Sequence, residues 1–176
     1  MRFVITGEWN RNRLLQTVIV LYCLYVTLLW VTNALLYFEK MGLDYASVVA
    51  YYLGDEERFL SPRSYQGLLE VSHFHLFAMG MLLLVLTHLV LFAPLRNATK
   101  AWLVALPFAS ALLDEASGWG VRFVDPAFAY LKIAGFVGLQ ASLAALVGIS
   151  LWAVFRGGPK SGYDAETKRS GEESGV

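Results

Sequence analysis

The sequence predicts an all-α integral membrane protein. It is expected to be a four-helix bundle with both termini on the cytoplasmic side and a helical outer loop between helices 1 and 2. Three observations predict this: four long apolar stretches, the lack of a polar stripe on any of them, and a lopsided placement of Lys and Arg. The chain is 57% hydrophobic and 16% charged, against roughly 45–50% and about 25% for an ordinary soluble domain. Its 176 residues suffice for one compact domain.

Leu14 to Phe38 carries no charge and exceeds the roughly 20 residues a helix needs to cross the hydrocarbon core. It is too long and too late to be a cleaved signal. After it, Tyr45 to Leu53 is rich in Tyr and Val and is expected to lie as an amphipathic helix on the outer surface. Ser61-Pro62 has the form of an N-cap followed by proline at the first helical position, so the second membrane helix is expected to run from Pro62 through Ala93. Its charge-free part is Ser72 to Ala93. The third stretch, Ala101 to Leu113, spans only about 20 Å at 1.5 Å per residue. It must stop short or carry Asp114 and Glu115 into the membrane edge. Ile133 to Phe155 is the fourth span. Within it Ala134, Gly138, Ala141, Ala145 and Gly148 alternate at steps of four and three, a spacing that lets two helix backbones approach closely. Residues 1–156 thus form the membrane domain. From Gly157 to the end, residues 157–176 are Gly, Ser and charge with almost nothing to bury, so a disordered cytoplasmic tail is expected.

Orientation follows from the basic residues. Arg2, Arg11 and Arg13 precede the first span, Arg96 and Lys100 separate the second from the third, and Arg156, Lys160, Lys168 and Arg169 follow the fourth. The other two loops hold most of the acids, among them Glu39, Asp44, Asp55, Glu56, Glu57, Glu70 and Asp125. This bias places both termini inside and the acidic loops outside. Lys and Arg balance Asp and Glu at 14 each, so no basic field points to nucleic acid. The single cysteine, Cys23, excludes a disulfide or a thiolate metal site within one chain.

All three histidines, His73, His75 and His88, fall on the second span, where ionisable residues are costly and mark function by default. His73 and His88 are about 22 Å apart along a helix and about 60° apart around it, whereas His75 points about 160° away from His73. The path His73, Phe77, Gly80, Leu84, His88 therefore climbs one face, with an imidazole near each side of the membrane. This one helix resembles the two-haem helices of cytochrome b-type proteins, with Gly80 as the spacer. The resemblance implies His73 and His88 as haem ligands, with His75 and Gly80 beside them. Two such haems need four histidines and no other helix has one, so a second copy, a histidine of another subunit, or Met79 or Met81 as a weaker ligand would supply the rest.

A second constellation lies at the outer end. Glu70 and His73 share a face at the three-residue spacing used by carboxylate-bridged metal sites. Asp114 and Glu115 end the third stretch at similar depth, and Lys132 at the start of the fourth is placed to pair with one of these acids. A single metal held by Glu70, His73 and Asp114 or Glu115 is the corresponding expectation.

These features point to a membrane subunit carrying or bordering a redox cofactor, haem b or alternatively one transition-metal ion. It would pass electrons between a quinone pool and an extracytoplasmic partner, as an electron-transfer or accessory subunit. Membrane lipid, a second copy or larger membrane complex, and quinone are the expected partners, in a bacterial inner membrane. The competing readings are a scaffold or assembly subunit without chemistry, and an outer-facing metal-binding enzyme or transporter.

Overall fold

A computed structural model of the chain describes residues 13–155. The predicted tail at 157–176 and the basic residues Arg2, Arg11 and Arg156 lie outside the described residues. The described part holds five helices: α1 (Arg13–Lys40), α2 (Tyr45–Leu53), α3 (Tyr65–Leu91), α4 (Asn97–Phe123) and α5 (Phe128–Phe155). The fold is all-α, as the sequence predicts. α1, α3 and α5 are each long and apolar enough to cross a membrane. α4 is as long as α3 but carries charge, and length and composition alone do not make it a span.

α5 is the central element. Its most extensive contact is with α4, and it also packs against α1 and α3, while α1 and α3 share far less surface with each other. Two apolar clusters result. Near the chain ends, Ile19, Cys23 and Val26 of α1 meet Leu83, Leu86 and Val90 of α3 and Leu139, Leu143 and Leu146 of α5. At the other end Tyr37, Val48, Tyr52, Leu68, Val121, Ala129 and Phe136 bring together all five helices. Outside both, large apolar side chains face outward: Tyr25, Phe74 and Phe77 are each 72% exposed. An apolar exterior of this kind suits hydrocarbon, where only the backbone must be satisfied internally.

α2 keeps its predicted bounds because its caps are strong. Asp44 accepts a hydrogen bond from the Ser47 N–H at 2.9 Å, and Gly54, at φ 89°, closes the helix in a conformation side chains rarely adopt. The helix does not merely rest on a surface, since Val48 and Tyr52 are buried against α4 and α5. The start of α3 differs from expectation. Residues 61–64 are not helical, and the Arg63 N–H donates to the Tyr52 carbonyl, tying this segment back along α2. Pro62 packs against Gly54 in the chain reversal, and the cap is Ser64, whose Oγ accepts from the Gly67 N–H.

α4 does not stop at Leu113. It continues through Asp114 and Glu115 to Phe123, since both acids have partners on neighbouring helices. The small-residue stripe on α5 is only partly an interface. Gly138 meets Ser110, but Ala134, Ala141 and Gly148 are exposed, and a Cβ at Gly148 would touch nothing. The closest approach is made by buried Gly135 instead. A Cβ there would lie 2.7 Å from the Asp114 backbone nitrogen, so only glycine allows α4 and α5 to come this near.

Candidate functional site

A polar layer bordering the second apolar cluster draws on all five helices. Adjacent acids on α4 point about 100° apart, so Asp114 serves α5 while Glu115 serves α3. Lys132 Nζ lies 2.9 Å from Asp114 Oδ2 and also donates to the Asp114 carbonyl at 3.1 Å. Lys132 is 7% exposed, and its ammonium is held by this carboxylate. The alternative, a lone ammonium in an apolar interior, is strongly unfavourable.

On the other side of α4, His75 Nδ1 lies 3.1 Å from Glu115 Oε2. Ser72, one turn before His75, donates to Glu115 Oε1 and accepts from Trp119 Nε1 at 2.8 Å. Trp119, Ser72, Glu115 and His75 thus form one hydrogen-bonded chain. Both Glu115 oxygens are occupied, one by a neutral hydroxyl and one by a ring that can carry a proton. With Nδ1 on the carboxylate, Nε2 of His75 is left to donate or accept according to its charge. The imidazole is also the more open end of the pair, its side chain 46% exposed against 16% for Glu115.

Two cavities meet at this layer. A smaller one of about 110 Å³ reaches toward the chain-end core, walled by Met79, Leu83, Phe108 and Leu139, with His75, Asp114 and Glu115 at its polar end. A larger one of about 700 Å³ opens toward α2 and also includes His75, Asp114, Glu115, Tyr37 and Lys132. Both are bounded by α1 and α3, which join only weakly: the Tyr22 hydroxyl donates to the Leu82 carbonyl at 3.2 Å, nearer the chain ends. A family profile described as Aq_1264_TM, a transmembrane helical domain, matches residues 42–161.

The chain belongs to this family. The matched segment holds α2 to α5 and hence Ser72, His75, Asp114, Glu115, Trp119 and Lys132; α1, which brings Tyr37, lies outside it. No curated protein and no solved structure matches the chain significantly. The family and the apolar helices together make it an integral membrane protein.

Within this Aq_1264_TM domain the histidines divide differently from the sequence expectation. His75 is the imidazole that meets the polar layer, because the buried face of α3 runs through Leu68, Ser72, Leu83, Leu86 and Val90. His73 and His88 are exposed, the first against Phe74 and the second against Phe92, and Phe77 and Leu84 of the same stripe are exposed with them. The stripe does not face a helix interface within one chain. Gly80 lines the smaller cavity. The expected grouping of Glu70, His73, Asp114 and Glu115 is not assembled. Glu70 is exposed and accepts from Gln66 at 3.0 Å, Asp114 is engaged by Lys132, and Glu115 by Ser72 and His75. Among the described residues no three His, Cys, Asp or Glu side chains converge as metal ligands do. Ser72, Tyr37, Tyr52 and Trp119 were not singled out as site residues from sequence. Ser72 and His75 at i and i+3 on α3 were the available signal.

Proposed function

We propose that the chain is a four-span redox subunit, α4 included, with both termini cytoplasmic. Its cavity holds the polar head of a membrane-dissolved quinone, and His75 and Glu115 exchange the ligand's protons. The observation that carries this reading is the His75–Glu115 pair at 3.1 Å, set in an apolar-walled cavity bounded by the two loosely joined helices α1 and α3. Ligand sites of this class combine apolar walls with a few convergent polar groups, and a quinol head needs proton acceptors that a lipid-facing wall does not supply. Oxidation of a quinol to a quinone releases two protons and two electrons. His75 and Glu115 are the proton acceptors, and the electrons go to a redox centre in a partner chain.

Titration of nanodisc-embedded protein with a decyl-substituted benzoquinone, followed by quenching of tryptophan emission, tests the reading. Saturable binding is expected, weakened about tenfold by Glu115→Gln and more by His75→Ala, with both variants monodisperse. Equal binding by wild type and both variants, or none by wild type, would remove this site as the quinone site.

A second reading has its own observation. His73 and His88 are both exposed on the outward stripe of α3, where an unpaired imidazole in hydrocarbon is costly. A second copy of the chain would supply facing histidines and place haem b between two α3 helices. A visible spectrum of the purified dimer, with His73→Ala and His88→Ala beside it, decides this. A wild type without a haem band when purified with its partners ends it.

A further inference from the structure

The larger cavity has a second polar pole that the His75–Glu115 pair does not use. Tyr37 is 7% exposed, its ring is stacked on Phe136 at 3.6 Å, and its hydroxyl has no hydrogen-bond partner among the described residues. Asp114 is engaged through Oδ2 only; its Oδ1 is buried and equally without a partner. Tyr37 and Asp114 both line this cavity, and Phe136 sits one turn of α5 beyond the Lys132 that holds Asp114. Buried polar atoms are paired in more than nine cases in ten, so two orphans on one cavity wall call for a ligand.

The two orphans have different capacities. A carboxylate oxygen only accepts, while a phenol has a proton to give. One ligand group satisfies both at once, a hydroxyl, which donates to Asp114 Oδ1 and accepts from the Tyr37 O–H. A carbonyl satisfies Tyr37 alone and sets its own lone pairs against Asp114. We infer that Tyr37 and Asp114 form a hydroxyl-selecting subsite, so that the cavity takes a para-hydroquinone in preference to the corresponding quinone. This rests on the proposed quinone reading and adds the redox form that is bound. A para-hydroquinone has two hydroxyls, one for this subsite and one for the His75–Glu115 pole of the same cavity.

The test compares a decyl-substituted hydroquinone with its quinone under argon, on nanodisc-embedded wild type, Tyr37→Phe and Asp114→Asn. For wild type the hydroquinone is expected to bind about tenfold more tightly, the worth of one charge-assisted hydrogen bond. Tyr37→Phe, which loses only the hydroxyl, should weaken the hydroquinone about fivefold. Asp114→Asn, checked for monodisperse elution, should bring the two forms to near-equal affinity. Equal binding of both forms by wild type, or tighter quinone binding, overturns the selectivity while leaving the quinone site standing. Unchanged hydroquinone affinity in Tyr37→Phe also overturns it. Binding of neither form by wild type overturns both this inference and the reading beneath it.

Discussion

Lys132 on α5 and Asp114 on α4 form an ion pair at 2.9 Å whose side chains are 9% and 16% exposed. The pair sits where α4 and α5 approach most closely. Removing one member leaves a buried charge without its partner. Lys132→Met alone should therefore lower stability by about 3–5 kcal/mol, whereas Lys132→Met with Asp114→Leu should recover most of the loss. Denaturation in mixed micelles measures both. A single variant as stable as wild type would show that the pair is not buried in the folded protein.

The glycines of α5 differ in what surrounds them, and the difference is measurable. A methyl group at Gly135 would meet the Asp114 backbone at 2.7 Å, while one at Gly148 would meet nothing within 4 Å. Gly135→Ala should cost about 1–3 kcal/mol through overpacking. Gly148→Ala should be neutral or slightly stabilising, since alanine favours the helix. The opposite order would mean that α5 is rotated about its axis.

α2 carries a pH dependence of definite sign. The Ser47 N–H, donating to Asp44, holds that carboxyl below the ordinary aspartate value of 3.8. A depressed folded-state value stabilises the helix at pH above the unfolded value, and the contribution disappears as pH falls through the folded value. Amide-exchange protection at Ser47 should thus be constant from neutral pH down to about 4 and fall only below it. Asp44→Ala should show low protection throughout. Loss of wild-type protection already between pH 7 and 5 would contradict the cap.

The four-span arrangement has a labelling test that the chain itself makes clean. Cys23, the native cysteine, is 1% exposed. New cysteines at Phe59, which is 95% exposed, and at exposed Asp125 and Ala98 report three separate connections. An impermeant maleimide added from outside should reach positions 59 and 125 but not 98. Labelling of 59 from one side and of 98 and 125 together from the other would mean that α4 does not span.

What could be read from the sequence, and what could not, divides along one physical line. The bounds of α1 and the end of α5 were close because a charge-free run of span length has few alternatives, and α2 was placed by its Tyr- and Val-rich stretch. The Lys132–acid pairing was anticipated from depth alone. The rotation of α3 was not legible, because in a membrane both the lipid face and the core face are apolar and periodicity cannot distinguish them. Helix geometry set His73 and His75 on opposite faces of α3, but which face meets the core was not legible. The choice was made by Glu115 and Ser72, residues of two helices that meet only in the fold. For the same reason the close contact fell on Gly135 rather than along the stripe through Gly138 and Gly148.

Photoaffinity labelling tests the cavity most directly. A decyl-substituted azidoquinone would be activated in nanodiscs holding the wild-type protein, and its adducts mapped by peptide mass spectrometry. Adducts are expected on the cavity walls of α3 and α4, at Leu76 to Leu83 and Phe108 to Glu115, and unlabelled quinone should compete them away. Adducts confined to the outward side chains such as Tyr25 and Phe77, undiminished by competitor, would contradict a quinone site at His75 and Glu115.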